Sequence, residues 1–391
     1  LRKITLGYLN ISDQGKKYVN DCLDRNRLSY GDYTAEFESR FAELHGCEHG
    51  IFMNSGTSAL QVALAALKEV HGYKDGDEII VPATTFIATS NIVIQNGLKP
   101  VFVDVDPFTF NMGANKLWDK VKHSPRVRAV IPVHLFGLPS DMIEIESIAN
   151  EYALQIIEDS CETMFAGQNG ISVGSFGDLS CFSTYIAHLI VGGVGGIVTT
   201  DDDKLAEICR SLMAHGRDSI YTDIDSDDGD DDVLRRQMIE RRFKFDRLGY
   251  SYRATELEAA IALSELEQYQ DNIFTRRVNA TLLTDYLNDL DVLQLPYVPK
   301  GMTHSFMMYP MVLKKGNRDD FLMHLERNGI ETRYLFPLLD QPIYRKLFPG
   351  EAKKYPVAQH LAKQGFYIGC HKGLTTDDIQ YVSDVIHGYF E

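Results

Sequence analysis

The spacing of apolar and polar positions changes several times along this chain, and each change marks an element. Residues 12–24 and 33–44 repeat apolar side chains at helical spacing. Residues 58–69, rich in alanine and leucine, predict a third helix, entered through Asn54-Ser55-Gly56-Thr57. Short apolar runs then alternate with helical stretches. The strand candidates are 78–81, 101–105, 129–133, 155–158 and 196–199, and 142–152 is a helical stretch between two of them. This alternation predicts an α/β fold: a mostly parallel central sheet covered by helices on both faces. In such a sheet, functional residues belong in loops at the carboxyl ends of the strands. Past residue 253 the pattern shifts. A long helix is expected from 254 towards 274, although its apolar positions Leu257, Ile261, Leu263 and Leu266 are irregular. Residues 307–391 mix short strands with helices, as in a smaller α+β domain. The expected division is an N-terminal arm and large domain over 1–250 and a small C-terminal domain over 251–391.

Composition narrows the function classes. The chain has 391 residues, 44% hydrophobic and 24% charged, which is ordinary for a globular protein. A net charge of −16 argues against nucleic-acid or anionic-membrane partners. Part of that charge is one acidic run, Asp223 to Asp232, read as a solvated loop. The six cysteines show neither metal-ligand spacing nor a disulfide framework, so no metal is expected and a reducing cytoplasm fits. The first residues lack an apolar signal core, and no apolar run approaches membrane-spanning length.

Four local features then point to one chemistry. Asn54-Ser55-Gly56-Thr57 opens a helix, where backbone amides bind phosphate and glycine allows close approach; the same run also serves as a plain N-cap. Ile156-Ile157-Glu158-Asp159 reads as a buried strand ending in an acid, which can hold a pyridine nitrogen protonated or merely cap a helix. Phe86, after the strand at 79–81, can stack on a flat ring or fill the core. Ser183 lies five residues before His188, within Cys181-Phe182-Ser183-Thr184-Tyr185-Ile186-Ala187-His188.

In this order and spacing the four resemble the cofactor motifs of the DegT/DnrJ/EryC1/StrS sugar aminotransferase family. The likeness runs from about Asp32 to the C-terminus. It implies the aspartate-aminotransferase-like fold (fold-type I), a homodimer with sites at the subunit interface, and pyridoxal 5′-phosphate or pyridoxamine 5′-phosphate as cofactor. It further implies Gly56, Thr57 and Ser183 at the phosphate, Phe86 over the ring, Asp159 at the ring nitrogen and Glu162 facing the ring hydroxyl. Where the family has its imine-forming lysine, this chain has His188. An imidazole forms no stable imine but moves protons near neutral pH.

That substitution, with the acidic Asp159-Ser160-Cys161-Glu162, resembles the family's histidine-containing 3-dehydratase branch, which acts on nucleotide-linked 4-keto-6-deoxy sugars in deoxysugar and lipopolysaccharide O-antigen synthesis. The resemblance implies that His188 is the acid/base for loss of the C3 hydroxyl and that glutamate regenerates the pyridoxamine form. Gly216-Arg217-Asp218 is not followed by cysteine, so the iron–sulfur ligands of one dehydratase type are missing. The family's Gly-Glu-Gly-Gly becomes Gly193-Val194-Gly195-Gly196, and Ser251 replaces the asparagine that reaches the partner's phosphate. Arg253, Arg333, His215 and His371 are candidates for binding substrate or glutamate; surface ion pairs are the plainer reading of the two arginines. Two rival readings stand beside the dehydratase: an aminotransferase working without the lysine, and a non-catalytic cofactor-binding dimer.

Overall fold

The computed structural model describes residues 2–217, 236 and 243–391. The acidic run Asp223 to Asp232 and residues 218–222, just after Arg217, lie outside the described residues.

Strands β1 (His49–Met53), β2 (Glu78–Pro82), β3 (Lys99–Val103), β4 (Val127–Val130) and β5 (Gln155–Asp159) are followed by a two-residue hairpin, β6 (Gly167–Gln168) and β7 (Ile171–Ser172). Strands β8 (Leu179–Ser183) and β9 (Gly196–Thr200) come next. Seven of them form one sheet in the order β1-β9-β8-β5-β4-β2-β3. Pairings β5–β8, β4–β5, β2–β4 and β2–β3 are parallel, whereas β9 runs antiparallel to both β8 and β1. The expected mostly parallel sheet is therefore present, with one reversed strand. Its strands are buried almost end to end because helices cover both faces.

Helices α1 (Asp13–Asp24), α2 (Asp32–Leu44), α3 (Gly56–His71), α4 (Ile87–Gln95), α5 (Ala114–Val121), α6 (Met142–Tyr152) and α7 (Asp203–Met213) precede α8 (Glu256–Leu266) and α9 (Tyr269–Leu287). Alternate strand residues segregate as a pleat requires. Ile79, Val81, Ile157 and Val198 join α3, α4 and α7 in one core, while Ile80, Val101 and Ile156 join α5 and α6 on the opposite face. Phe52, Phe182 and Ile197 pack with α2 and α8.

The single helix expected over 254–274 is two helices, broken at Glu267 and Gln268. The halves serve different cores: Ala259, Ala262 and Leu263 of α8 pack with Phe37 and Phe41, whereas Ala280, Leu283 and Leu287 of α9 pack under a second sheet. One straight helix cannot do both, hence the irregular apolar spacing. The second sheet is antiparallel, in the order β10-β11-β13-β12, from β10 (Leu293–Gln294), β11 (Met308–Leu313), β12 (Thr332–Tyr334) and β13 (Gly365–Gly369).

One long-range contact ties the helical layer together. Helix α2 starts at Gly31, which has no side chain to cap it. The buried Glu256 carboxylate of α8 caps it instead, accepting from the N–H groups of Gly31 (2.9 Å), Tyr33 (2.7 Å) and Thr34 (3.3 Å) and from the Thr34 hydroxyl (2.5 Å). A negative charge at a helix start also complements the helix dipole. Among the described residues, no helix is long and apolar enough to cross a membrane.

Candidate active site

The carboxyl ends of β1, β5 and β8 converge. Ser55 caps α3 by accepting from the Ser58 N–H (3.1 Å), and the helix begins at Gly56. A Cβ on Gly56 would lie 2.8 Å from both the Ser183 Cβ and the Cys161 thiol, so only glycine lets the backbone press so close. The first turn of a helix leaves its N–H groups without intrahelical acceptors and carries the positive end of the dipole. With the Ser183 hydroxyl beside it and Thr57 exposed in that turn, this end of α3 has the donors and sign for a phosphate.

Asp159 ends β5 in register with Cys181, two residues before Ser183 on β8. Its Oδ1 accepts from the Cys161 N–H (3.2 Å) and its Oδ2 from the Thr89 hydroxyl (2.7 Å), which in turn lies 2.7 Å from the Thr85 hydroxyl. Burial pushes the carboxyl up from the ordinary aspartate range, while the contacts from Thr89 and Cys161 pull it down. Each carboxylate oxygen thus keeps one lone pair for a cationic donor. Glu162 accepts from the Phe136 N–H (3.0 Å); burial, reinforced by the Asp159 charge, raises it to about 8, so it holds its proton at neutral pH.

His188 follows Ser183 on the loop leaving β8. Its Nδ1 lies 3.2 Å from the Tyr185 carbonyl oxygen and 3.4 Å from the Ser183 hydroxyl. A carbonyl only accepts, so this contact assigns the hydrogen to Nδ1 and the free lone pair to Nε2. Burial lowers the imidazole to about 4; the Tyr185 carbonyl opposes that fall and the Arg276 charge adds to it. The residue is only partly buried, so the direction of the shift, towards the neutral base, carries the chemistry. The N-terminal segment covers this loop: a Cβ on Gly7 would lie 2.9 Å from the Ile186 carbonyl.

The other sequence candidates fall into two groups. His215, Ser251 and Arg253 lie together and exposed, beside the end of β1: Asn54 donates to the Tyr252 carbonyl, Met53 bridges Arg253, Ala214 bridges Ser251, and the Arg253 guanidinium donates to the Ser251 hydroxyl (3.2 Å). Burial lowers the His215 pKa, with Arg253 and Arg217 adding to the effect. Arg333 on β12 is engaged by Glu331 (2.6 Å), yet its register partner Tyr367 packs against Phe136, whose N–H meets Glu162. His371 is buried away from the others. Its Nε2 faces the Thr5 carbonyl (3.0 Å), its Nδ1 accepts from the Gly373 N–H (3.2 Å) and Tyr8 stacks on it, so neither nitrogen is left for a ligand.

Phe86 is 57% exposed and meets the edge of Phe336, which stacks on Phe136. An exposed aromatic ring beside a polar cleft is poised to cover a flat ligand. Thr89, Phe136 and Phe336 touch these groups without having stood out in the sequence, and Thr85 and Cys161 do so although the motifs that contain them gave them no role. The four-residue spacing of Thr85 and Thr89 at a helix start was the only local signal.

The cradle at Gly56, the buried acid at Asp159 and the exposed Phe86 together fit a phosphorylated pyridine. A family model described as the DegT/DnrJ/EryC1/StrS aminotransferase family matches residues 10–387. The chain belongs to that family. Among its relatives is the GDP-perosamine synthase of Caulobacter vibrioides, 34% identical over 388 residues, covering 98% of this chain and 97% of that protein. Among solved structures, the Escherichia coli GDP-4-keto-6-deoxy-D-mannose-3-dehydratase with bound hydrated PLP superposes with a TM-score of 0.87 at 28% identity, covering 98% of this chain and all of that one. A GDP-4-keto-6-deoxymannose-3-dehydratase with a trapped PLP-glutamate geminal diamine gives 0.85 at 27% identity, covering 98% of this chain and 100% of that one. The DegT/DnrJ/EryC1/StrS fold is that of the pyridoxal-phosphate aminotransferases, as the sequence motifs imply, and the family modifies sugars by amine transfer or by 3-dehydration.

Proposed function

We propose that this chain is a 3-dehydratase for a nucleotide-linked 4-keto-6-deoxy sugar, using the pyridoxamine form of the cofactor, with glutamate as the amine source. The observation that carries this reading is a half-buried histidine whose Nδ1 faces the Tyr185 carbonyl, leaving Nε2 as its basic nitrogen, at the loop position where the family motif has its lysine.

When bound, the cofactor supplies a protonated pyridine ring that accepts electrons from a carbon losing its proton. The residues of this chain do the rest. The first turn of α3, at Gly56 and Thr57, and the Ser183 hydroxyl hold the phosphate; Asp159 keeps the proton on the ring nitrogen; Phe86 covers the ring. Glu162 keeps its proton and offers it towards the ring hydroxyl. Nε2 of His188 takes a proton at the carbon that bears the amine and returns it to the departing C3 hydroxyl. A lysine would instead capture the aldehyde and return a proton to C4 of the sugar, which completes amine transfer.

We further propose that a second copy of the chain completes the site, with Ser251 directed to its phosphate. The shorter reach of serine favours a bridging water there. Arg253 and Arg333 supply positive charge for the substrate or glutamate anion.

The identity to GDP-perosamine synthase favours a second reading, amine transfer. One experiment separates the two. Protein, cofactor and glutamate are incubated, 2-ketoglutarate is measured, and a GDP- or CDP-linked 4-keto-6-deoxy sugar is added. Dehydration predicts free ammonia and a 3-deoxy-4-keto sugar; an aminosugar as the product would establish transfer. No 2-ketoglutarate and no cofactor binding would leave only a non-catalytic protein.

A further inference from the structure

We infer that Thr89, aligned by Thr85, is a positioning residue that holds the Asp159 carboxylate ionised and aimed at the cofactor's ring nitrogen. The inference rests on the cofactor reading above and extends it to two residues to which the family motif assigns no role.

Geometry fixes the direction of the chain of hydroxyls. Thr85, Thr89 and Asp159 are all buried, and the Thr89 hydroxyl lies 2.7 Å from Asp159 Oδ2. A carboxylate can only accept, so Thr89 donates to it. The single Thr89 hydrogen is then spent, and the Thr85 hydroxyl, 2.7 Å away, must donate to Thr89. The relay Thr85 to Thr89 to Asp159 therefore runs one way, and each hydroxyl polarises the next. On the other oxygen, the Cys161 N–H is longer, at 3.2 Å. The Cys161 thiol also favours the charged form, but the Thr89 hydroxyl makes a shorter contact than the Cys161 N–H and is first among the groups that oppose burial.

Burial and the absence of a paired cation among the described residues leave work for that hydroxyl. Glu162 and Glu158 flank it in sequence, and Glu158 takes its own donors from His134 and from the N–H groups of Gly174, Phe176 and Gly177. His134 therefore serves Glu158, and its N–H meets only the main-chain carbonyl of Asp159. No arginine or lysine forms an ion pair with Asp159 among the described residues. A buried carboxylate so placed gains a proton unless donors oppose it. The same segment carries Phe86 between the two threonines, so one turn at the start of α4 sets both the ring's cover and the acid behind it.

The test uses protein loaded with pyridoxal phosphate labelled with nitrogen-15 in the ring. In wild type, the ring-nitrogen resonance is expected at the protonated pyridinium position. Thr89→Val keeps the shape and removes the donor; the resonance should move towards neutral pyridine and cofactor affinity should fall about tenfold or more. Thr89→Ser should restore both. Thr85→Val should shift the resonance the same way by less. An unchanged resonance and affinity in folded Thr89→Val overturns the inference. Should that variant not fold, Thr89→Ala and Thr85→Val carry the test, and an unchanged resonance in either overturns it. Wild-type protein that binds no cofactor would instead sink the functional reading beneath it.

Discussion

An imidazole and a primary amine differ in one respect that matters at position 188: only the amine makes a stable imine with an aldehyde. His188 sits where its Nδ1 is tied to the Tyr185 carbonyl and its Nε2 has no hydrogen-bond partner among the described residues. Two outcomes follow at this scale. Borohydride treatment of the pyridoxal-phosphate-loaded protein should leave its intact mass unchanged, whereas His188→Lys should acquire a covalent pyridoxyl group. His188→Asn should still bind cofactor but lose turnover by about 10²–10⁴, the usual contribution of a positioned acid/base; kinetics at saturating sugar checks this. Candidates of this kind are legible in the sequence because the motif is local. Gly56, Asp159, Ser183 and His188 announce themselves by their immediate neighbours. Thr89 did not, because its partner lies 70 positions away and a buried threonine has no distinctive context. His371 misled for the opposite reason: a histidine near the C-terminus looks available until the N-terminal segment folds over it.

At the scale of elements, alternation of apolar runs was enough to place most strands of the parallel sheet. It failed where an element's role depends on a distant surface. Strands β1 and β8 are short and buried, and their sequences, His49–Met53 and Leu179–Ser183, carry no alternation to read. The reversed strand β9 could be located but not oriented, since antiparallel pairing leaves no mark on a strand buried on both faces. The break between α8 and α9 is set by two cores that meet at residues 267–268. Glu256 shows the same dependence. It reads as an ordinary acid in the first turn of a helix, yet it caps α2 through residues more than 220 positions earlier. Glu256→Ala should strand three backbone N–H groups and a hydroxyl, with a loss of about 3 kcal/mol or more. Urea denaturation should show it as a lower midpoint at unchanged slope, and Glu256→Gln should recover part of it.

For the whole molecule, buried titratable groups set how stability follows pH. Burial depresses His45, His188 and His371 to about 4 and His304 to about 3. Between about 6.5 and 4 the unfolded chain therefore binds protons that the folded chain does not, so stability falls as pH drops through that window. Glu162 works the other way: raised to about 8, it binds a proton in the folded chain that the unfolded chain has released, and its contribution is lost as pH rises towards 8. Melting temperature of the cofactor-free protein should peak near neutrality and fall on both sides, more steeply on the acid side because four histidines act there against one glutamate. His45→Phe should flatten the acid limb. Fold and cofactor chemistry thus meet in one arrangement: a mostly parallel sheet that brings three strand ends together, and a loop that offers an imidazole where an amine is the rule. Turnover with glutamate carrying nitrogen-15 in its amino group, with a nucleotide-linked 4-keto-6-deoxy sugar as acceptor, tests that arrangement most directly. The label is predicted to leave as free ammonium, with the sugar 3-deoxygenated and nitrogen-free; label retained on the sugar would contradict the account.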